Sequence, residues 1–360
     1  MSWPTVDLTR VTNALPTLLA DKVIAQMNRS APELQLIPFQ AGAHKNLTWD
    51  VEFKNASEAT SSAQTEGAVV STYGDDDIVP ATLNWCDYSE SIAVTGKALS
   101  AARGSAGGTG GASELQDLWT HKTMGAVRRL AKNLGRDFWQ GPGTGNRMTG
   151  MYGGATLASA SPLSNAGVYA GVDRSVYNDW KSNVILNGGV PRALTLDLMR
   201  DMRKAIYDAC GEMPDLIMCD SGQHEAYGKL FGDARRYVQE VTIRGQKIVL
   251  DGGYRALEFD GIPIIASVNH PAGYMSFLNT QYVKLSALDD QPNEANRATG
   301  MLQLQAMPEE QLMNGACPCR ARLNPLAITG DLFPIQMILY PQILVERPNA
   351  LGCLGDLAAG

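Results

Sequence analysis

One pair of residues has the types and spacing that covalent catalysis would need. Ser221 and His224 lie three positions apart in C-D-S-G-Q-H, residues 219–224, and a histidine beside a serine can act as its general base. The serine lacks the G-x-S-x-G motif that exposes a nucleophile on a strand-to-helix turn. Asp220 and Gln223 have instead the spacing of a helix capping box. The pattern therefore favours a helix start with a surface histidine, and we predict no catalytic residue.

Patterns that could bind a metal ion are weak. The histidines are His44, His121, His224 and His270, and they do not share the spacing of H-E-x-x-H. G-D-D-D at 74–77 lacks the alternating ligands and the closing glutamate of an EF-hand loop. Cys317-Pro-Cys319 has no second cysteine pair nearby that would complete a zinc site. We therefore predict no metal ion.

Two further features could bind phosphate. G-P-G-T-G-N-R-M-T-G at 141–150 follows a predicted helix and matches neither the dinucleotide fingerprint nor the P-loop, so a turn leaving the helix is favoured. The second feature is a basic set on that helix: Arg128, Arg129, Lys132 and Arg136. Such side chains more often complement a helix C-terminus and form ion pairs. We predict no cofactor site.

Length and composition limit the possible classes of protein. A chain of 360 residues is long enough for two domains with their own cores. Thirty basic and thirty-seven acidic residues give a net charge of −7, which argues against a general nucleic-acid binder. The six cysteines are scattered without a C-x-x-C motif, as is usual in a reducing compartment. With no signal peptide or long apolar run in view, we expect a soluble intracellular product.

The first half of the chain is predicted to form an arm, a long hairpin and a long helix. Apolar residues recur at helical spacing over 5–29, with an interruption at Pro16. Alternation over 47–53 predicts a half-buried strand, and the section 47–97 is interpreted as a two-stranded excursion with a polar tip. A glycine-rich joint at 104–111 precedes a helix that we expect to begin at an N-cap, Ser113, and to end at Gly141 after about 27 residues.

The second half is predicted to begin with a helix, a strand and a second helix, and to continue with hairpin strands. Thr195 and Gly211 have the types expected at the two ends of a helix, a strand follows at 215–219, and a helix opened by Asp220 runs to about residue 231. Ile262–Val268 and 274–278 have the composition of two strands joined by a turn that contains His270. A strand-rich return covers 326–345. This mixture predicts an α+β fold.

Three local patterns in this order resemble the major capsid proteins of tailed phages, which have the HK97-like fold. The first is S-I-A-V-T-G-K-A-L (91–99) with the long helix and D-F-W-Q-G-P-G-T-G (137–145). The second is P-D-L-I-M-C-D (214–220) followed by L-E-F-D-G-I-P-I-I-A-S (257–267) and Y-M-S-F-L-N (274–279). The third is V-E-R-P-N-A-L (345–351). The resemblance covers nearly the whole chain by element order.

The resemblance implies an organisation into four parts: an N-terminal arm (1–46), an extended loop or E-loop (47–97), a peripheral domain with the long spine helix (98–190 and 326–360) and an axial domain (191–325). It implies a capsid protein that self-assembles into hexamers and pentamers, forming an icosahedral shell around packaged double-stranded DNA. The implied partners are further copies of the chain, a separate scaffolding protein, a portal and a decoration protein, with DNA contacted non-specifically and no membrane. The implied location is the virion, after synthesis in the host cytoplasm.

The resemblance also gives His270 a geometric role in an axial-domain hairpin. Some members of the family cross-link a lysine to an asparagine; Lys54 and Asn349 are conceivable partners, but they do not match a motif and we predict no cross-link. Two alternative functions stay open at this point. One is an encapsulin-like nanocompartment shell, and the other is a soluble hydrolase using Ser221 and His224.

Overall fold

The computed structural model describes residues 32–42, 44–53, 77–97, 111–230, 240–243, 246–249, 257–288, 322–325 and 332–358. The predicted arm helix at 5–29, the polar tip of the hairpin with most of G-D-D-D, most of the glycine joint, Lys54 and the pair Cys317 and Cys319 lie outside the described residues. No helix among the described residues is both long enough and apolar enough to cross a lipid bilayer.

The described elements are four helices, two 3₁₀ turns and eighteen mostly short strands. The helices are α1 (Pro32–Leu36), α2 (Gly111–Gln140), α3 (Leu196–Cys210) and α4 (Ser221–Leu230), with 3₁₀ turns at Asn178–Trp180 and Pro348–Ala350. The strands are β1 (Phe39–Gly42), β2 (Asn46–Phe53), β3 (Asp77–Asn84), β4 (Tyr88–Thr95), β5 (Val168–Tyr169), β6 (Val172–Asp173), β7 (Asn183–Ile185), β8 (Leu216–Cys219), β9 (Glu240–Ile243), β10 (Gln246–Val249), β11 (Leu257–Phe259), β12 (Ile262–Ala266), β13 (Met275–Leu278), β14 (Val283–Leu288), β15 (Arg322–Pro325), β16 (Leu332–Leu339), β17 (Pro341–Val345) and β18 (Gly352–Leu354).

The long hairpin predicted over 47–97 is confirmed in its first part only. Strands β2 and β3 pair antiparallel along their full lengths, from Asn46 opposite Asn84 to Phe53 opposite Asp77. Strand β4, which the sequence placed on the same excursion, pairs instead with β16 from the far end of the chain. Alternation shows which face of a strand is apolar, but it does not show which strand lies alongside.

The spine helix α2 is longer than its predicted extent. It starts at Gly111 and covers 30 residues, so Ser113 lies inside the helix and is not its N-cap. Its end at Gln140 agrees with the predicted stop at Gly141. In its last turns Leu134, Phe138 and Trp139 are fully buried, because residues three and four apart share one face of a helix.

Strands from the second half of the chain form a six-stranded sheet with the strand order β11-β12-β8-β13-β18-β7. Helix α3 is capped by Thr195, whose side chain accepts a hydrogen bond from the backbone N–H of Leu198, and ends at Gly211 with φ of 77°, as predicted. The predicted hairpin of β12 and β13 is wrong. Strand β8 lies between them, parallel to β12 and antiparallel to β13.

The six-stranded sheet crosses both predicted domain boundaries. Strands β7 and β18 come from segments assigned to the peripheral domain, yet β18 pairs with β13 and β7 pairs with β18. A second sheet, β1-β14-β17, joins the first described strand to two strands from the second half of the chain. The closing segment of the chain contributes one strand to each sheet, β17 to this sheet and β18 to the six-stranded sheet, and thereby links the two sheets.

Candidate functional site

The elements meet at a buried junction between the C-terminal end of α2, the connection from β12 to β13, and α1. Gln140 at the end of α2 donates a hydrogen bond from its side chain to the backbone carbonyl of Asn269 at 2.9 Å. Trp139 packs edge-on against the imidazole of His270, with ring centroids 4.5 Å apart. Side chains from three separated parts of the sequence thus share one packed volume.

His270 lies inside this junction, in the connection from β12 to β13, which is not a hairpin turn because β8 separates the two strands. Its side chain is 4% exposed, and its Nδ1 lies 3.0 Å from the backbone carbonyl of Pro271. A carbonyl can only accept, so Nδ1 carries the proton and Nε2 is the acceptor of the neutral ring. Burial lowers the pKa of His270 to about 3, against a smaller opposing effect of the bond to Pro271. The histidine is therefore an uncharged part of the core.

A directional chain of hydrogen bonds ends at this imidazole. Ser276 Oγ lies 2.9 Å from His270 Nε2 and 2.6 Å from Tyr152 Oη, and Cys353 Sγ lies 3.6 Å from the same phenol oxygen. Because Nε2 must accept, Ser276 donates to it, Tyr152 donates to Ser276, and Cys353 donates to Tyr152. A buried polar chain in which each donor finds an acceptor adds rigidity and specifies one packing arrangement.

Ser276 and His270 have the geometry of a nucleophile and its base, a pair that the sequence did not indicate. Ser276 and Tyr152 are fully buried, so a substrate has no access to the hydroxyl in this structure. The imidazole Nδ1 is held by a neutral carbonyl, rather than by the carboxylate that stabilises an imidazolium in hydrolase triads. The hydrogen bond between Ser276 and His270 therefore helps to hold the packed junction together.

A second polar cluster fastens α2 to the peripheral strands. Asp137 is 1% exposed; it accepts hydrogen bonds from Tyr88 Oη at 2.7 Å and from Arg147 Nε at 2.9 Å, with further bonds from the second nitrogen of Arg147 and from Arg136. Burial opposes ionisation of Asp137, but the bonds from Arg147, Tyr88 and Arg136 outweigh it and lower its pKa.

The glycine-rich stretch 141–150 carries Arg147 back to Asp137. It folds as a tight loop in which the backbone N–H of Gly150 donates to Gly141 at 2.9 Å. A Cβ on Gly150 would lie 2.4 Å from the backbone nitrogen of Gly141 and 2.6 Å from the carbonyl oxygen of Asp137. The prediction of a turn leaving the helix is confirmed, and its glycines serve close backbone approach.

A buried arginine, which the sequence did not single out, organises the irregular region 153–182. Arg174 is 0% exposed, and its guanidinium donates to backbone carbonyls of residues 159, 161, 162, 166 and 180 at 2.9 to 3.3 Å. It also lies 5.5 Å from the ring centroid of Tyr169. A planar guanidinium has five N–H donors, which here replace the hydrogen bonds that regular secondary structure would supply.

The predicted candidate residues lie apart from both clusters. Ser221 is the exposed first residue of α4, and Asp220 Oδ2 accepts from the backbone N–H of Gly222 at 3.1 Å, so the predicted helix start is confirmed. The capping box is incomplete, because the side chain of Gln223 donates instead to the carbonyl of Ala358 at 2.6 Å. No group of three or more His, Cys, Asp or Glu within the described ranges could hold a metal ion.

The basic set on α2 forms ion pairs in two cases. Arg129 pairs with Glu90 of β4, and Arg136 pairs with Asp137 at 3.1 Å. The last turn of α2 carries no basic residue, so the predicted complementation of the helix C-terminus is not observed. The two polar clusters and Arg174 hold elements of the fold together.

Comparison with known proteins places this architecture among viral and virus-like shells. The capsid protein of cyanophage A-1(L) has 16% sequence identity and a TM-score of 0.68 over 94% of this chain and 95% of that chain. The capsid of an empty GTA particle has 11% identity and a TM-score of 0.56 over 94% and 99%. The SrpI encapsulin of Synechococcus elongatus PCC 7942 has 11% identity and a TM-score of 0.53 over 96% and 95%.

Identities as low as these establish a shared fold alone, whereas a match to a sequence-family model establishes membership of that family. No curated protein sequence matches the chain. Residues 6–304 match the family model described as the SU10 major capsid protein. The predicted α+β, HK97-like fold and the predicted structural function are thereby confirmed: the chain belongs to the SU10 major capsid protein family and is a major capsid protein of the tailed-phage type.

Proposed function

We propose that copies of this chain assemble through hexamers and pentamers into a closed icosahedral shell around packaged double-stranded DNA, within the virion. The observation that carries the proposal is the β2–β3 hairpin. Its inner face packs on the chain's own core, where Phe53 stacks on Tyr177 with ring centroids 4.2 Å apart. Its outer face is exposed and includes Ile78, at 60% exposure. Ile78 and Pro80 lie on the same exposed face of β3, and this face is available for contact with a second copy.

The four-part organisation remains a proposal, with one adjustment. We assign 1–46 to the N-terminal arm, 47–97 to the extended loop, 98–190 with 326–360 to the peripheral domain, and 191–325 to the axial domain. Strands β7 and β18 lie in the segments assigned to the peripheral domain, but they pair within the sheet of the axial domain. The two proposed domains therefore share one sheet. This sharing favours a subunit whose two domains move together during assembly.

Partners beyond further copies of the chain also belong to the proposal. We expect a separate scaffolding protein, a portal and a decoration protein, with synthesis in the host cytoplasm. The net charge of −7 supports a loose, sequence-independent relation to packaged DNA, since a strongly basic lining would bind phosphates tightly. We further propose that the chain has no catalytic activity, and that Ser221→Ala leaves assembly unchanged.

Size-exclusion chromatography and negative-stain electron microscopy of the expressed chain test the assembly, alone and with a co-expressed scaffolding protein. Closed polyhedral particles or rings of five and six subunits are expected. A product that stays monomeric or dimeric under both conditions would overturn the proposal. Nuclease-protected DNA inside particles from infected cells supports a virion, whereas a protein cargo without DNA would support the encapsulin alternative, whose fold this chain shares.

A matched pair of variants tests the role of the hairpin face. Ile78→Asp places a charge on an exposed position, so the free subunit should keep its fold while the yield of particles falls. Ile78→Val keeps the apolar character and should assemble like the unchanged chain. Equal particle yields for both variants would show that this face makes no contact between subunits.

A further inference from the structure

A buried carboxyl group joins the first described segment to the junction. Glu33 in α1 is 0% exposed. Its Oε2 lies 2.8 Å from Ser267 Oγ, and its Oε1 accepts from Asn269 Nδ2 at 2.7 Å. Both partners are neutral, and no ion pair to Glu33 occurs within the described part of the chain. A buried ionised carboxylate without a cation is costly, so the protonation state of Glu33 affects the free energy of this contact.

The segment that carries Glu33 is held by few other elements. Leu34, Leu36 and Ile37 are each 3% exposed, and β1 pairs only along one edge, parallel to β14. One further backbone bond runs from the N–H of Leu285 to the carbonyl of Pro38 at 2.9 Å. A short edge strand with a few apolar contacts is the kind of element that opens locally.

The groups that face Glu33 do not supply a compensating charge. Helix α2 presents Trp139 and Gln140, which are uncharged, and the connection from β12 to β13 presents Ser267, Asn269 and the neutral ring of His270. Burial is the largest cause of the shift at Glu33, and the opposing causes are hydrogen bonds alone. The titration of Glu33 is therefore not coupled to a nearby ion.

We propose that Glu33 is a proton-dependent latch, which fastens residues 32–42 to the junction when its carboxyl is neutral and releases them when it ionises. The contact with Ser267 fits either charge state of Glu33, since a hydroxyl can donate or accept. The acid O–H then donates to Ser267 Oγ over the same 2.8 Å contact, while the other oxygen still accepts from Asn269. The device goes beyond the building of a shell, because it makes the attachment of one segment depend on pH.

The direction of the pH dependence follows from the two states. Burial raises the pKa of Glu33 from 4.5 to about 7, so the docked state binds the proton more tightly than a released, solvated state does. Docking is therefore strongest in acid, weakens as pH rises from about 4.5 to about 7, and stays weak above that range. Between about pH 5.5 and about pH 8.5 the docking constant should fall about 30-fold.

Hydrogen exchange of the full-length chain, with protection factors measured at both pH values, tests the latch. The amides of β1 report release, and those of β13 in the central sheet report global opening. The unchanged chain should lose about 30-fold protection in β1 between the two pH values, with β13 unaffected. Glu33→Gln, an uncharged replacement that can keep both hydrogen bonds, should hold β1 protected at both. His270 is present in both proteins, so its own titration cancels in the comparison.

Three results would each overturn the latch. One is a β1 protection that has the same pH dependence in the unchanged chain and in Glu33→Gln. Another is a pH-dependent loss that is equal in β1 and β13, which would show an effect on global stability alone. The third is an unchanged chain whose β1 protection does not depend on pH. Glu258→Gln, at an exposed position, is the control and should behave like the unchanged chain.

Discussion

Replacing Arg174 with methionine should destabilise the peripheral part of the chain strongly. The guanidinium is fully buried and bonds five backbone carbonyls. The region it organises, from Gly153 to Ser182, has only the two-residue strands β5 and β6 and a 3₁₀ turn. Methionine fills a similar volume but donates no hydrogen bond, so the carbonyls lose their common donor.

The size of the effect follows from two opposing contributions. Hydrogen bonds to a charged group contribute at least about 1.5 kcal/mol each, so five bonds correspond to roughly 7 kcal/mol. Burial lowers the pKa of Arg174 to about 10 from 12.5, and removal of the buried charge regains roughly 3 kcal/mol. The net loss in the free energy of unfolding should be about 4 kcal/mol, which is large for a single substitution.

Urea denaturation followed by tryptophan fluorescence measures this loss, because Trp180 lies in the same region and donates to the carbonyl of Tyr169 at 3.1 Å. Arg174→Lys keeps the charge but has three donors on a flexible stem, so it should lose about half as much. Arg200→Met is the control: its side chain is 57% exposed in an ion pair with Asp197, worth less than about 1 kcal/mol. If Arg174→Met cost no more than this control, the carbonyl-binding role of Arg174 would be refuted.

Three further predictions concern the buried junction and the glycine loop. Gly150→Ala should prevent folding or lower the free energy of unfolding by several kcal/mol, because its Cβ would lie 2.4 Å from the backbone nitrogen of Gly141. In the control, Gly154→Ala, the new Cβ meets no atom closer than 3.5 Å, so this variant should stay soluble. Expression yield and thermal denaturation compare the two variants. Asp137→Asn should remove part of the loss of stability in acid. The pKa of Asp137 is lowered in the folded state, so its carboxylate stabilises the fold above its unfolded pKa, and this stabilisation is lost as pH falls through the folded pKa. Denaturation across acidic pH tests the prediction, and an unchanged acid sensitivity would contradict it. His270→Gln should flatten the decline in stability between about pH 6.5 and about pH 3, since the neutral buried ring must bind a proton on unfolding in that range; an equally steep decline in the variant would exclude His270 as its source.

Local sequence patterns predicted the helices and strands themselves better than they predicted which strands pair with one another. Helix α3 was predicted at both ends, because Thr195 and Gly211 act within their own turn of the chain. The alternation in β2 was also read correctly. The pairing of β12 with β13 was wrong, because two strands joined by a short connection pair with each other only if no third strand enters between them. Strand β8 enters there, some forty residues earlier in the sequence.

The polar clusters were the part that the sequence indicated least. His270 was assigned to a hairpin turn, where it would have a geometric role, since Asn, Pro and Gly around it are typical turn residues. Its burial depends on Trp139 from α2 and on Ser276 and Tyr152, none of which has a fixed spacing from it. Arg174 gave no signal either, because its partners are backbone carbonyls and any residue type can supply those.

The sequence by itself determined the local elements of this protein: helices and strands in mixed order, the β2–β3 hairpin and the spine helix. Periodicity, caps and turns suffice for these elements, because they act over a few residues. The assignment to shell proteins came from the resemblance of three sequence patterns to a known family. The tertiary structure alone decided which strands are neighbours and which polar side chains are buried. It therefore decided that Glu33 is buried without a cation, that His270 is a neutral part of the core, and that Arg174 bonds backbone carbonyls. Desolvation and hydrogen bonding depend on everything that surrounds a side chain, and those surroundings exist only once distant segments have packed.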